Sequence, residues 1–208
     1  LFQRYDRILI FDTETTGLRF DRDEIIQFSA VVLERDGVTQ QYDRLIRLAP
    51  GQQVPPEIQR LTGITTQALQ EQGIPRAQAA AEIGALMAGN TLLTAYNAHF
   101  DLSFLYHMLA RNGDPTCLRG KDKLDLLTVY RDRRDYPHRL FNAIEAYGLQ
   151  DTVRNSHRAD EDTLATVSVM DAMAAEKDDL RSYINLFGYI PKYGPPARPI
   201  RSVTYKPQ

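Results

Sequence analysis

The sequence predicts an α/β fold, and three observations carry that expectation. Apolar runs rich in β-branched residues crowd into the stretch before Pro50, at Ile8–Phe11 and Ile25–Leu33, with looser alternation from Thr39 to Leu48. One further short apolar run, Thr91–Tyr96, stands alone between segments whose apolar residues recur at helical spacing. From Asp101 onward helical spacing dominates, closing in a long segment, Asp160–Glu176.

In chain order, Ile8–Phe11 reads as a first strand buried on both faces, with Asp12 and Glu14 at its end, and Thr15-Thr16-Gly17 turns the chain. Ile25–Leu33 is a second strand, and Asp36-Gly37 supplies a hairpin turn into a third, Thr39–Leu48, so the chain is expected to open as an antiparallel meander. Val54-Pro55-Pro56 is extended and starts a short helix over Glu57–Leu61. Thr65–Gln72 and Ile74–Met87 read as helices, the latter with Pro75 in its first turn. Thr91–Tyr96 is the fourth strand, Asp101–Asn112 an amphipathic helix, Lys123–Tyr130 a strand-to-helix or wholly helical segment, and Leu140–Tyr147 a helix ended by Gly148. The tail from Pro191 is rich in proline and carries Lys192, Arg198, Arg201 and Lys206 with no acid, as a terminal linker does. Ile200–Tyr205 nevertheless has strand-forming residues able to return to the sheet edge. We therefore expect a main domain over residues 1–180 and a basic extension over 181–208.

Bulk composition narrows the function classes. The 208 residues are 43% hydrophobic and 25% charged, with a net charge of −2, as in ordinary globular domains and without a global basic signal for nucleic acid. The single cysteine, Cys117, excludes an intrachain disulfide and a cysteine-based zinc cluster, which suits a reducing cytoplasm. No stretch has the ~20 apolar residues of a membrane span, and no signal peptide is recognisable. Because the first residue is Leu1, we expect a trimmed piece of a longer chain.

The chemistry begins at Asp12 and Glu14. Residues two apart on a strand share a face, so both charges project from the end of a core strand. That is costly unless a cation joins them, and oxygen donors suit magnesium or manganese; the alternative is an edge strand whose acids face water. Asp101 follows the fourth strand at the start of a helix, where a carboxylate serves either as a cap or as a ligand. Asp162 lies five residues after His157 at the opening of a late helix, behind Asp160 and Glu161, which suit a helix's first turn.

Together these residues form a pattern. Asp12-Thr13-Glu14, Asn97-Ala98-His99-Phe100-Asp101 and His157-Arg158-Ala159-Asp160-Glu161-Asp162 resemble, in order, the three motifs of the DEDDh, or DnaQ-like, 3′–5′ exonuclease superfamily. Pro55-Pro56-Glu57 with Leu61-Thr62-Gly63-Ile64-Thr65, and Pro137-His138-Arg139-Leu140 with Tyr147-Gly148-Leu149, resemble its intervening segments. Threonine at Thr62, where many proofreading members carry histidine, is common in stand-alone members. The chain is thus similar to both bacterial stand-alone and polymerase III epsilon-like members.

The resemblance implies a ribonuclease H-like fold, with a mixed central sheet, antiparallel over its first three strands and then parallel, flanked by helices. It implies a phosphodiester hydrolase acting at 3′ ends of nucleic acid, a superfamily that degrades both DNA and RNA; we expect single-stranded DNA, since a 3′ end must be splayed into the acidic site. Asp12, Glu14, Asp101 and Asp162 would bind two divalent cations, Mg²⁺ or Mn²⁺, and His157 would be the general base of a two-metal mechanism. Substrate contacts are expected from Thr13, Thr16, Gly17, Leu18, Leu61, Asn97 and Phe100. His99 is a lesser candidate for substrate contact, His107 a surface or packing residue, and His138 a structural one. Arg131, Arg133, Arg134 and Arg139 are placed either on strand phosphates or on a solvated face. The alternatives are an RNA-trimming exoribonuclease and a non-catalytic module of a polymerase or other nucleic-acid complex, docked through the C-terminal tail. A metal-dependent phosphatase would need a nucleophilic D-x-D, which Asp12-Thr13-Glu14 is not.

Overall fold

A computed structural model of the chain describes residues 1–153 and 157–208. Five strands form one mixed sheet in the order β3-β2-β1-β4-β5: β1 (Arg7–Thr15), β2 (Ile25–Glu34), β3 (Gly37–Leu45), β4 (Thr91–Ala95) and β5 (Lys123–Asp125). The pairs β1–β2 and β2–β3 are antiparallel, while β1–β4 and β4–β5 are parallel. The expected change of sense across the sheet is therefore present, with β1 as its pivot.

The alternation of β1 divides the core. Leu9 and Phe11 pack on one face with α3 (Arg76–Leu86) and α4 (Ala98–Asn112). Ile8 and Ile10 pack on the other with α5 (Leu126–Arg133), α6 (Leu140–Ala146) and α7 (Ala159–Glu176). A smaller cluster of Ile26, Val54, Ile64 and Leu69 seats α1 (Pro56–Thr62) and α2 (Thr66–Gln72). A strand buried on both faces has no solvated side to carry polar residues, which is why its apolar run is unbroken up to Asp12.

Several boundaries differ from expectation for local reasons. Helix α4 starts at Ala98 rather than Asp101, because Asn97 takes a left-handed conformation (φ 66°) and turns the chain straight off β4. The freed Ala98 N–H donates to Asp125 Oδ1 at 3.0 Å. The segment from Lys123 splits into β5 and α5 at Asp125, whose carboxylate also accepts from Leu127 N and Thr128 Oγ1. Strand β3 ends at Leu45 rather than Leu48; beyond it Ile46 N donates to Ile26 O at 2.8 Å and Ile46 forms an isolated bridge to Ile74.

The tail does not join the main sheet. It forms β7 (Thr204–Pro207), which pairs in parallel with β6 (Leu186–Tyr189) in a separate two-stranded sheet.

Two of the expected phosphate-binding arginines are used inside the fold. Arg133 donates to Met173 O at 2.7 Å, Glu176 Oε2 at 3.0 Å and Asp179 Oδ1 at 2.5 Å, clamping α5 to the carboxyl end of α7. Arg134 donates to Glu176 Oε1 at 2.6 Å and lies over the Tyr147 ring. Helix C-termini carry unpaired carbonyls and negative partial charge, so a guanidinium there is well placed.

Arg133→Met should keep the length of the side chain and remove its charged hydrogen bonds. We expect a loss of about 2–3 kcal/mol in urea unfolding. A loss below about 0.5 kcal/mol would show an exposed pair of no structural weight.

Candidate active site

The site is built at the carboxyl end of β1. Asp12 and Glu14 share the face of Ile8 and Ile10, the face covered by α7. Asp162 is the fourth residue of α7 and is buried. Carboxylate oxygens of Asp12, Glu14 and Asp162 all lie within 4.8 Å of one another.

Helix α7 is held in that position by polar residues of β2. Gln27, opposite Glu14 in the strand register and fully buried, accepts from Ala159 N at 3.2 Å through its Oε1 and donates to Asp43 Oδ1 at 2.8 Å. Ser29, opposite Asp12, offers its carbonyl to Thr163 Oγ1 at 3.4 Å. Both were missed by reading the sequence for acids and histidines. The signal available was the amide itself, since a glutamine inside the run Ile25–Leu33 must find partners once buried.

Asp101 reaches the site from the other side of the sheet. It is buried on α4, and its Oδ1 accepts from Thr13 Oγ1 at 2.6 Å. Thr13 thus anchors it beside the three clustered acids, close enough for its charge to act on both Asp12 and Glu14.

The electrostatics record the crowding. Burial, then the charges of Asp101, Glu14 and Asp162, raise Asp12 well above the usual carboxylate range. Glu14 is pushed up to about 8, by burial first and then by Asp162 and Asp101, and Arg158 only partly opposes this. Asp101 is raised to about 7 by burial, against which its bond from Thr13 works. Arg158 itself pairs with Asp160 at 3.3 Å. A hard divalent cation fits this donor set: three oxygens converge, they repel one another, and all are carboxylates rather than nitrogen or sulfur.

The remaining expected residues fall as follows. His157 is exposed on the turn before α7 in a left-handed conformation (φ 57°). Thr13 and Thr16 spend their hydroxyls internally, the second accepting from Glu24 N at 2.9 Å, which leaves only their backbone groups to face a ligand. Gly17 lies so close to Asp23 that an added Cβ would come within 2.5 Å of its carboxylate. Leu18, 81% exposed, and Leu61, 49% exposed, stand out into solvent. Phe100 packs on Phe104 at 4.8 Å between ring centroids. Asn97 makes no side-chain cap; its contribution is the backbone turn. Among the histidines, His99 Nδ1 lies 2.8 Å from Tyr205 Oη, His107 packs on Phe20, and His138 Nε2 lies 2.9 Å from Arg134 O.

Comparison with known proteins agrees with this geometry. A family model described as an RNase T exonuclease matches residues 9–170. The DNA polymerase III subunit epsilon of Treponema pallidum (strain Nichols) is 31% identical over 168 residues, spanning 79% of this chain and 75% of that one. The 3′–5′ exonuclease DinG of Staphylococcus aureus (strain MRSA252) is 31% identical over 173 residues, spanning 81% of this chain and 18% of that one. Exonuclease I of E. coli, solved in complex with an oligonucleotide, superposes with a TM-score of 0.75 at 24% identity, spanning 86% of this chain and 42% of that one. That likeness is one of fold, and it matches the ribonuclease H-like architecture. The chain thus spans most of the epsilon subunit but less than half of the other two.

A pH series tests the crowding. An acid whose folded pKa is raised supports the native state fully below its unfolded value, near 4, and that support is lost as pH rises through the folded value. With Glu14 at about 8 and Asp101 at about 7, Tm in EDTA should fall from about pH 4 to pH 8. Asp12→Asn should raise Tm at pH 8, by about 2–4 °C per kcal/mol of repulsion removed. Mg²⁺ or Mn²⁺ should raise Tm of the unaltered chain more at pH 8 than at pH 5. A Tm in EDTA that is flat across this range would contradict the crowding.

Proposed function

The chain belongs to the RNase T exonuclease family and is a DEDD-type 3′–5′ exonuclease, and on that premise we propose that it shortens single-stranded DNA from the 3′ end by a metal-assisted hydrolysis. The observation that carries this reading is the convergence of Asp12, Glu14 and Asp162 at the end of β1. Asp12, Glu14, Asp162 and Asp101, the last held by Thr13, would hold two divalent cations, Mg²⁺ or Mn²⁺, which when bound polarise the scissile phosphate and stabilise the attacking and leaving oxygens.

The chain's own residues supply the rest. An imidazole nitrogen of His157 accepts the proton of the attacking water as the new P–O bond forms. The bond from phosphorus to the 3′ oxygen breaks, releasing a nucleoside 5′-monophosphate and leaving a 3′-hydroxyl on the shortened strand. The position of His157, exposed and immediately before the helix that carries Asp162, supports this role. The backbone from Thr13 to Leu18 borders the terminal nucleotide, with exposed Leu18 and Leu61 as apolar contacts for terminal bases and Phe100 packed beneath. A single strand suits the site because a 3′ end must leave its partner to reach carboxylates at a sheet end.

We read residues 1–180 as the catalytic domain and 181–208 as an extension docked on it. Likeness to the Treponema epsilon subunit favours a polymerase as protein partner. No helix among the described residues is long and apolar enough to cross a membrane. On this reading the chain acts in the cytoplasm.

The test is degradation of matched, 5′-labelled single-stranded DNA and RNA with Mg²⁺, Mn²⁺ or EDTA. Stepwise 3′ shortening of DNA that needs metal and is lost in Asp12→Asn is the expected result; faster loss of RNA would reassign the sugar preference, and no cleavage would favour an accessory module. His157→Ala should lower kcat by about 10²–10⁴-fold while keeping the metal-induced rise in Tm. A variant at the wild-type rate would exclude His157 as the base.

A further inference from the structure

Residues 191–208 contain four cations and no acid, and they lie beyond the segment that the exonuclease family model matches. Their placement is fixed by the fold. Gly188 N donates to Thr128 Oγ1 at 2.8 Å, in the first turn of α5, which begins at the carboxyl end of β5. Since β5, β4 and β1 are parallel, β6 emerges at the same end of the sheet as Asp12 and Glu14. The loop between β6 and β7 therefore leaves from the active-site end of the molecule.

Both arms of that loop touch segments of the site. Arg198 lies over the ring of Phe20, 5.4 Å from its centroid, two residues after Leu18. On the return, Tyr205 Oη accepts from Ile200 N at 3.1 Å and meets His99 Nδ1, inside the Asn97–Asp101 motif. Gln208 fastens the end by donating to Thr128 O at 2.7 Å. Pro191, Pro195, Pro196 and Pro199 stiffen the span between.

The loop's charges are available. Lys206 pairs with Asp132 and is spent. Lys192 and Arg201 are exposed, Arg198 is exposed over Phe20 with a long ion pair of 3.7 Å to Asp21, and Tyr193 is 73% exposed beside Lys192. Cations interleaved with an exposed aromatic ring form the pairing that holds a flexible polynucleotide, phosphates on the charges and a base on the ring.

We propose that the loop from Ile190 to Arg201 is an exosite for single-stranded nucleic acid, holding the strand 5′ of the nucleotides in the active site. The proposal rests on the exonuclease reading. It gives physical sense to a basic loop beside an acidic centre, because a polyanion delivered to clustered carboxylates needs attraction close by.

Binding is measured in EDTA, so that it does not depend on cleavage. The probe is a labelled single strand of about 20 nucleotides, longer than one binding groove. In the Lys192→Gln/Arg198→Gln/Arg201→Gln variant, affinity should fall about tenfold and the slope of log K against log salt should flatten by about 2, as expected for three lost phosphate contacts. Tyr193→Ala, which keeps every charge, should weaken binding about fivefold without changing that slope. In the kinetic arm, KM for the long strand should rise in the triple variant, while a trinucleotide should be hydrolysed at the wild-type rate. An unchanged affinity and slope, with Tm equal to wild type, would overturn the exosite and leave this face for a protein partner. Failure of the unaltered chain to cut any strand would count against the exonuclease reading alone, since the binding arm still decides the exosite.

Discussion

Mutual repulsion among carboxylates at the end of β1 is the constraint around which the fold is arranged. Asp12 and Glu14 cannot avoid one another, because strand geometry puts them on one face, and Asp162 is brought against them by α7. Burial removes the water that would screen them, so the protonated forms gain and the pKa values rise. The charge of Arg158 falls short of offsetting this. The arrangement persists because the packing of two cores on either side of β1 outweighs the local cost, and a cation bound there would reverse its sign.

Holding such a cluster takes polar anchors. Gln27 and Ser29 of β2 tie the first turns of α7 to the strand positions opposite Glu14 and Asp12. Thr13 fastens Asp101, and Asp125 caps the first turn of α4. Each anchor is a buried donor or acceptor whose loss would leave its partner unsatisfied, which is more costly than the bond is stabilising. The acids thus stand on rigid elements, while His157 and Leu18 stand on exposed turns.

The tail shows how a segment without helical or strand periodicity is still given a place. Its strand pairs with β6 and never meets the main sheet, and Tyr205 ties it to His99 inside the second motif. Two of the four arginines before the third motif depart from the phosphate-binding reading for a related reason. Arg133 and Arg134 have acidic partners more than forty residues away, so no local pattern reveals that they are spent on Glu176 and Asp179.

The sequence by itself determined the α/β class, the antiparallel opening meander, the helical second half and the order of the acidic motifs. These follow from periodicity and from side-chain alternation, which act over a few residues. The convergence of Asp12, Glu14 and Asp162, the anchoring of Asp101 by Thr13, the start of α4 at Ala98 and the docking of the tail were decided only by tertiary structure. The physical reason is range: Coulomb repulsion and hydrogen bonding act between groups that are near in space, and for residues more than a hundred positions apart nearness is fixed by how the two cores pack against β1.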